Sequence, residues 1–188
     1  MGVFVILLLV WQFVLPGVYF MARTLTSTEA EIPPSAAVDA VNESFTQHFQ
    51  LLESGSVSAL APQYTEEANV TWIGRAYCFS GAYIGRTQIT ETLNSFLNRT
   101  VPGLRITNLT RTITPLPNGL VVTVDSTFGF STSKITTIGL STYPGLNGTV
   151  SARETYVYSS TTAAWLISNE TWSFLTLDSS VPLCGLPG

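Results

Sequence analysis

Few residues of this 188-residue chain could do chemistry, and they are scattered along it. His48 is the only histidine, Cys78 and Cys184 are the only cysteines, and charged side chains make up just 11% of the chain. The sequence contains no nucleophile elbow of a Ser-His-Asp hydrolase and no glycine-rich phosphate loop after a predicted strand. Because neither cysteine has a partner at metal-ligand spacing and one histidine cannot complete a zinc site, we expect no metal ion and no cofactor.

Three residues are candidates for acid–base catalysis: His48, Asp125 and Glu170. A buried carboxylate has a raised pKa and can act as an acid or a base. Alternation along the last predicted strand puts five side chains on one face: Leu166, Ser168, Glu170, Trp172 and Phe174. Asp125 is opposite the more apolar face of its own strand. The alternative for each carboxylate is a pairing with Arg111 or Arg153, or exposure to water.

A predicted amphipathic helix should position His48. Its apolar stripe recurs at helical spacing: Val38, Val41, Phe45, Phe49 and Leu52. A histidine on such a stripe contacts a ligand where the stripe faces a pocket, and is otherwise a hydrogen-bonded core residue. Gly55 should end this helix near Ser54, and a short second helix should follow from Ser56 to Tyr64.

Strand-like segments dominate the rest of the chain. After a short strand at Ala68–Ile73 and a hairpin arm at Phe79–Arg86, helical spacing returns from Thr87. Four long strands complete the pattern: Leu104–Ile113, Leu120–Phe130, Val150–Ser159 and Ala163–Leu177. A Pro/Gly-rich turn joins the first two and a polar Ser/Thr turn the last two, which predicts antiparallel hairpins.

Three segments carry a family resemblance: LLESGSVSALAPQYTEEANVTW (Leu51–Trp72), GAYIGRTQITETL (Gly81–Leu93) and AAWLISNETWSFL (Ala163–Leu175). In pattern and order they resemble the nuclear transport factor 2-like superfamily, which includes the SnoaL-like and ketosteroid-isomerase-like proteins. The resemblance implies an α+β fold, in which a curved antiparallel sheet wraps around the first helix to form a cone with a pocket. In this chain the pocket would include Phe45, His48, Trp72 and Trp172.

The resemblance leaves the activity open, because many family members are enzymes acting on small apolar molecules and many others only bind or dimerise. The family's isomerases use an acidic base together with tyrosine or acid donors. Neither the first helix nor the ANVTWIGRAYCF segment shows that acid and tyrosine at clearly matching places. No catalytic residue is therefore carried over from the family.

The first stretch of the chain, Gly2–Ala22, is apolar apart from Gln12 and carries no charge. About 20 apolar residues at roughly 1.5 Å rise each span the ~30 Å hydrocarbon core of a bilayer. The run is too long for the core of a cleaved signal peptide and has no basic residues before it. It predicts an uncleaved single-span transmembrane anchor. A cleaved signal peptide and a pilin-type helix packed inside a filament are the alternatives.

Six Asn-x-Ser/Thr sequons lie downstream of this run, although the chain has only eight asparagines. They are centred on Asn42, Asn69, Asn98, Asn108, Asn147 and Asn169. Such a density predicts N-linked glycans on the non-cytoplasmic side of a membrane. In that compartment Cys78 and Cys184 could form a disulfide bond, with two free thiols as the alternative.

These features divide the chain into an anchor (1–23), a linker (24–35), one α+β domain (36–177) and a tail (178–188). The leading hypothesis is a membrane-anchored, N-glycosylated extracellular domain that works by binding or assembly rather than by catalysis. Its expected partners are the membrane, through residues 2–22, and further copies of the chain or a larger complex. A SnoaL-like enzyme or small-ligand binder, and a subunit of a surface filament, are the alternatives. Because the net charge is −4 and no basic stripe exists, nucleic acid is not an expected partner.

Overall fold

The first helix, α1 (Pro34–Ser54), forms one layer of the domain. The structure is a computed structural model, and it describes residues 32–74, 80–100, 103–133, 135–136, 142–143 and 147–178. Pro34 opens the helix, where its fixed φ is already helical and its missing N–H is not needed. Gly55 ends it at the predicted place with φ of 65°, a left-handed conformation in which its N–H bonds back to the last turn. The buried stripe comprises Ala37, Val41, Phe45, His48, Phe49 and Leu52.

A series of short elements leads from α1 to the sheet. Helix α2 (Val57–Leu60) tightens into a 3-10 turn (Ala61–Gln63), because Pro62 has no N–H with which to continue an α-helix. Tyr64 therefore starts the first strand instead of ending a helix as the sequence predicted. The remaining elements of this part are β1 (Tyr64–Gly74), β2 (Gly81–Ile84), α3 (Arg86–Asn94) and a π-helical turn (Ser95–Thr100).

A six-stranded sheet forms the second layer, with strand order β2-β1-β8-β7-β4-β3. Its long strands are β3 (Arg105–Pro115), β4 (Val121–Ser131), β7 (Asn147–Ser159) and β8 (Ala164–Asp178), and a separate pair joins β5 (Ile135–Thr136) to β6 (Thr142–Tyr143). The long strands pair antiparallel as predicted, but β1 and β8 pair parallel. The expectation of a wholly antiparallel sheet is wrong, because β1 and β8 are distant in sequence and no hairpin connects them.

A β-bulge changes the inward face of β8. Thr155 pairs with Asn169 and Tyr156 with Ile167, so Ser168 is the extra residue, and its hydroxyl donates to the Thr155 carbonyl. Beyond the bulge the predicted inward side chains are buried, namely Glu170, Trp172 and Phe174. Before it the alternation is reversed, because the extra residue shifts the pleat by one position. The buried residues there are Trp165 and Ile167, and not Leu166 and Ser168 as predicted.

Aromatic side chains fill the core between α1 and the inner face of the sheet. The rings of Trp72 and Trp172 stack with centroids 5.6 Å apart, and Phe128 meets Trp172 edge-on at 5.6 Å. Phe49 of α1 in turn contacts Phe128 at 5.1 Å. Large aromatic rings bury much apolar area, so these four rings supply a large part of the hydrophobic stabilisation.

Several sequence predictions fall outside the described residues, namely the apolar run Gly2–Ala22, Cys78 and Cys184. The described helices include none that is long and apolar enough to cross a membrane. Among the sequon asparagines, four have exposed side chains, namely Asn98, Asn108, Asn147 and Asn169. Asn42 and Asn69 are half-buried. Anchor, glycans, disulfide and the boundaries of the anchor, linker and tail stay predictions.

Candidate functional site

Three ionisable side chains meet in the interior of the domain. His48 comes from α1, Glu154 from β7 and Glu170 from β8, and each has at most 1% of its surface exposed. Glu154 and Glu170 are directly opposite each other in the antiparallel β7–β8 pair. Like charges at paired positions of a sheet are destabilising, so the local fold works against this arrangement.

Two buried tyrosines hold one oxygen of each carboxylate. The Tyr64 hydroxyl, at the start of β1, donates to Glu170 Oε2 at 2.5 Å. The Tyr156 hydroxyl, two residues along β7, donates to Glu154 Oε2 at 2.6 Å. Such bonds from a hydroxyl to a carboxylate are short and strong, and they fix the orientation of both carboxylate planes.

His48 is oriented by Gln63, which ends the 3-10 turn. His48 Nδ1 lies 2.8 Å from Gln63 Oε1, and since an amide oxygen can only accept, Nδ1 carries the proton. On the other side of the ring, His48 Nε2 is 3.9 Å from Glu170 Oε1, which is an ion-pair distance and too long for a hydrogen bond. Within the described part of the chain, neither His48 Nε2 nor Glu154 Oε1 has a hydrogen-bond partner.

The pKa values of the cluster are displaced by burial and by the groups' mutual charges. For His48, burial lowers the pKa, but the carboxylates of Glu170 and Glu154 and the contact with Gln63 outweigh it and raise the pKa to about 9. For Glu154, burial and the charge of Glu170 raise the pKa to about 7, against the opposing effects of His48 and Tyr156. Burial and the adjacent carboxylates raise the pKa values of Tyr64 and Tyr156 well above the ordinary range.

The cluster therefore gathers negative charge that something must compensate. Protons on His48 and Glu154 can do so, and so can a cation. One ligand atom from each of His48, Glu154 and Glu170 lies within 4.8 Å of the other two, the only such group of three among the described residues. The sequence prediction of no metal ion considered only neighbours in sequence, whereas this set is assembled from a helix and two strands.

A cavity of about 370 Å³ adjoins the cluster, between α1 and the turn that joins β7 to β8. Two of its lining residues are also cluster contacts: Gln63, which holds His48, and Tyr156, which holds Glu154. The other lining residues come from α1, from the α2 region and from the start of β8: Ala40, Glu43, Ser44, Gln47, Ala59, Pro62, Ala163, Ala164, Trp165 and Leu166. The cavity is thus a mixed polar and apolar space whose inner wall is hydrogen-bonded to the ionisable side chains.

The structure unites some of the predicted site residues and separates another. His48 and Glu170 meet, and Phe45, Trp72 and Trp172 are buried in the apolar core. Asp125 does not join them: it is on the exposed face of β4, where its Oδ1 accepts from Arg153 Nε at 2.6 Å. Of the two readings of Asp125, a catalytic carboxylate or a partner of an arginine, the structure shows the second, because the apolar residues Val122, Val124 and Phe128 occupy the inward face of β4.

Glu154, Tyr64 and Tyr156 were missed by sequence reasoning. Glu154 is on the same strand face as the buried residues Val150, Ala152 and Tyr156, which lie at every second position. That period-2 pattern was a signal that its side chain faces inward. A charged residue on an apolar strand face is easily read as an outward-facing one. Tyr64 had no such signal, because the sequence placed it in a helix.

Solved structures of known fold resemble this domain. A nuclear transport factor 2-like superfamily protein from Salmonella enterica serovar Typhimurium LT2 has a TM-score of 0.61 at 12% identity, covering 79% of this chain and 97% of that one. A ketosteroid isomerase-like protein from Erwinia carotovora atroseptica has a TM-score of 0.58 at 14% identity, covering 74% and 96%. A candidate scytalone dehydratase from Novosphingobium aromaticivorans has a TM-score of 0.58 at 14% identity, covering 77% and 88%.

No protein-family model and no curated protein matches the sequence. At identities this low, structural likeness shows the fold alone. The domain therefore has the nuclear transport factor 2-like α+β fold that the sequence predicted.

Proposed function

We propose that this domain binds a small organic molecule in the cavity beside α1 and acts on it through the cluster of His48, Glu154 and Glu170. The reaction class we infer is polar, such as loss or addition of water or an isomerisation. One observation carries the proposal: Gln63 and Tyr156 line the cavity and are hydrogen-bonded to His48 and Glu154. A ligand in the cavity would thus contact the residues that hold the reactive groups.

The energetics of the cluster support a functional role. Taking charged groups out of water costs several kcal/mol each, and apolar residues of similar volume often give a more stable core. A buried His–Glu–Glu cluster with unsatisfied polar atoms is therefore a poor stabilising device. Two similar structures carry enzyme-type descriptions, a ketosteroid isomerase-like protein and a candidate scytalone dehydratase, which is compatible with this class of activity.

The cavity limits the ligand to a compact molecule. A volume of about 370 Å³ is near the lower end of small-molecule sites in proteins. Pro62, Trp165 and Leu166 offer apolar contacts, while Gln63 and Tyr156 are polar residues of the wall, of which the Tyr156 hydroxyl already donates to Glu154. A small, mostly apolar molecule with one hydroxyl or carbonyl group directed at Gln63 and Tyr156 fits these walls.

Obstruction of the cavity tests the proposal. Ala59 is an exposed residue of α2 that lines the cavity, so Ala59→Trp should fill the space without disturbing the core. Ser58→Trp, at the neighbouring exposed position outside the lining, is the matched control. A set of small hydroxyl and carbonyl compounds is screened by ligand-observed NMR, and turnover of the bound compounds is followed in the same spectra.

We expect Ala59→Trp to weaken binding at least tenfold and Ser58→Trp to leave it unchanged. Tyr156→Phe removes one hydrogen-bonding group of the inner wall and should weaken binding about two- to tenfold, the effect of a hydrogen bond worth roughly 0.5–1.5 kcal/mol. Equal binding by the wild type and Ala59→Trp, or no binding of any compound by the wild type, would contradict the proposal.

A second candidate function concerns location and assembly, and it is compatible with the first. We propose that the domain is held outside the membrane by Gly2–Ala22 and carries N-linked glycans, with binding or assembly at the cell surface as its role. The apolar run and the exposure of four sequon asparagines support it: Asn98, Asn108, Asn147 and Asn169. Mass-spectrometric mapping of the native protein tests it, and six unmodified sequons would contradict it.

A further inference from the structure

We propose that His48, Glu154 and Glu170 bind one divalent first-row transition metal ion, through His48 Nε2 and one oxygen of each carboxylate. The inference deepens the proposed function, on which it rests for the use of the ion in a reaction. Binding of the ion itself needs no organic ligand. Three features of the site support it: the free ligand atoms, the groups that hold the three side chains, and the charge.

Ligand atoms of the three residues converge in the interior. One donor atom from each residue lies within 4.8 Å of the others, and all three side chains are buried. Metal–nitrogen and metal–oxygen bonds of about 2.0–2.2 Å place the ligands of one ion roughly 3–4 Å apart. The 3.9 Å between His48 Nε2 and Glu170 Oε1 is already in that range. Closing the set from 4.8 Å to that range thus requires the ligand atoms to approach one another by roughly 1–2 Å.

The polar atoms left without a hydrogen bond are the ones that a metal ion would use. His48 Nε2 and Glu154 Oε1 are fully buried and have no hydrogen-bond partner in the described part of the chain. Buried polar atoms normally find a partner, and these two unsatisfied atoms belong to residues whose ligand atoms converge, so a bound ion would satisfy both. A metal ion must displace the Nε2 proton that His48 holds at neutral pH. Since Nδ1 keeps the proton that it donates to Gln63, Nε2 of the resulting neutral ring presents its lone pair.

An outer layer of hydrogen bonds fixes each of the three metal-binding side chains. Gln63 holds the far side of the His48 ring, Tyr64 holds the second oxygen of Glu170, and Tyr156 holds the second oxygen of Glu154. Metal-binding histidines and carboxylates in proteins are generally oriented in this way by groups bonded to their other polar atom. In this site, all three residues have such a partner.

The charge of the site favours a divalent cation. Once an ion has displaced the protons of His48 and Glu154, two carboxylates and a neutral imidazole carry a charge of −2, which one divalent ion balances. Among the described residues, Lys and Arg form no ion pair with Glu154 or Glu170. One nitrogen and two oxygen donors suit Zn²⁺, Fe²⁺ or Mn²⁺ better than Ca²⁺, which takes six to eight oxygens, or Cu⁺, which prefers sulfur.

Equilibrium dialysis of the metal-stripped full chain in detergent tests the site, with Mn²⁺ as the probe and elemental analysis as the readout. Mn²⁺ is chosen because Cys78 and Cys184 would compete for softer ions such as Zn²⁺. Glu154→Gln removes one ligand at nearly constant shape. Asp125→Asn makes the same chemical change at an exposed carboxylate and is the matched control. Circular dichroism confirms that each variant is folded.

We expect one Mn²⁺ per wild-type chain, a 10- to 100-fold weaker affinity in Glu154→Gln, and no change in Asp125→Asn. Tyr156→Phe keeps all three ligands and loses only the bond that orients Glu154, so it should weaken binding about tenfold. It also keeps the test informative where Glu154→Gln fails to fold. Wild-type protein that binds no Mn²⁺, or folded wild-type and variant proteins that bind it equally, would overturn the metal site.

The two proposals fail separately. Compounds that bind the chelator-treated protein and lose affinity in Ala59→Trp support the cavity even where no Mn²⁺ binds, and that result overturns the metal site alone. Stoichiometric, Glu154-dependent Mn²⁺ binding without any small-molecule binding overturns the proposed function alone and leaves the metal site established.

Discussion

Replacing His48 by leucine should lower the free energy of unfolding of the metal-free protein by about 3–5 kcal/mol, the usual cost of leaving a buried charge without its partner. With a pKa of about 9, His48 is an imidazolium at neutral pH. Its Nε2 lies 3.9 Å from Glu170 Oε1, and two unit charges at that separation attract by about 4 kcal/mol at an effective dielectric constant of about 20. Leucine has a similar volume, so the loss arises mainly from the Glu170 carboxylate, which loses its ion-pair partner. Glu154, whose pKa of about 7 is held down by His48, takes up a proton once the imidazolium is gone.

Urea denaturation followed by circular dichroism at pH 7 with a chelator measures this effect. The informative comparison is the triple variant His48→Leu, Glu154→Gln, Glu170→Gln, which removes all three charges. Its glutamine oxygens can still accept from Tyr64 and Tyr156, so we expect it to recover about 2 kcal/mol or more of the loss in the single variant. Asp125→Asn, at an exposed ion pair, should cost no more than about 1 kcal/mol.

Two results would refute this reasoning. If His48→Leu costs less than about 1 kcal/mol, the imidazolium does not neutralise the carboxylates in the folded state. If the triple variant is less stable than the single one, the cost lies in packing and hydrogen bonds around His48 and not in unpaired charge.

Three further predictions concern stability. The unfolding free energy of the metal-free protein should fall as pH rises from about 4.5 to 9. The reason is that the folded-state pKa values of Glu154 (about 7) and His48 (about 9) both exceed their ordinary values of 4.5 and 6.5. A urea midpoint that stays constant over this pH range would contradict the prediction. Gly55→Ala should cost about 1–2 kcal/mol in thermal denaturation, since φ is +65° there and the added Cβ would lie 3.0 Å from the Asn98 Oδ1 atom. Arg153→Ala, which breaks the exposed pair with Asp125, should leave the urea midpoint almost unchanged, and a clear decrease would mean that this pair stabilises the fold.

The parts of the fold that could be predicted are those with a strong local period. The apolar stripe on α1 and its glycine stop located that helix, and alternation with turn residues located β3, β4, β7 and β8. The parallel β1–β8 pairing and the bulge at Ser168 were not predictable in this way, because both depend on contacts between residues distant in sequence. A bulge reverses the alternation that the prediction relies on.

The candidate site was predictable only in part, for a related reason. His48 and Glu170 lie on faces that periodicity identifies as inward, so both could be named in advance. Their neighbours could not, because the Tyr64–Glu170 bond joins residues 106 positions apart and Glu154 meets His48 only after β7 pairs with β8. A search for spaced ligands along the chain therefore could not find a cluster assembled from three separate elements.

The same topology explains how the fold can hold such a cluster at all. A charged group placed in a core costs free energy that must come from elsewhere in the structure. Here the rings of Phe49 and Tyr64 contact the ring of His48, and the stacked rings of Trp72 and Trp172 belong to the same well-packed apolar core. Because β7 and β8 form the central pair of the sheet, opposing carboxylates are held together by the backbone ladder on either side of them. The sheet thus fixes Glu154 and Glu170 in place, and only the compensating charge, as protons or as a metal ion, is left to vary.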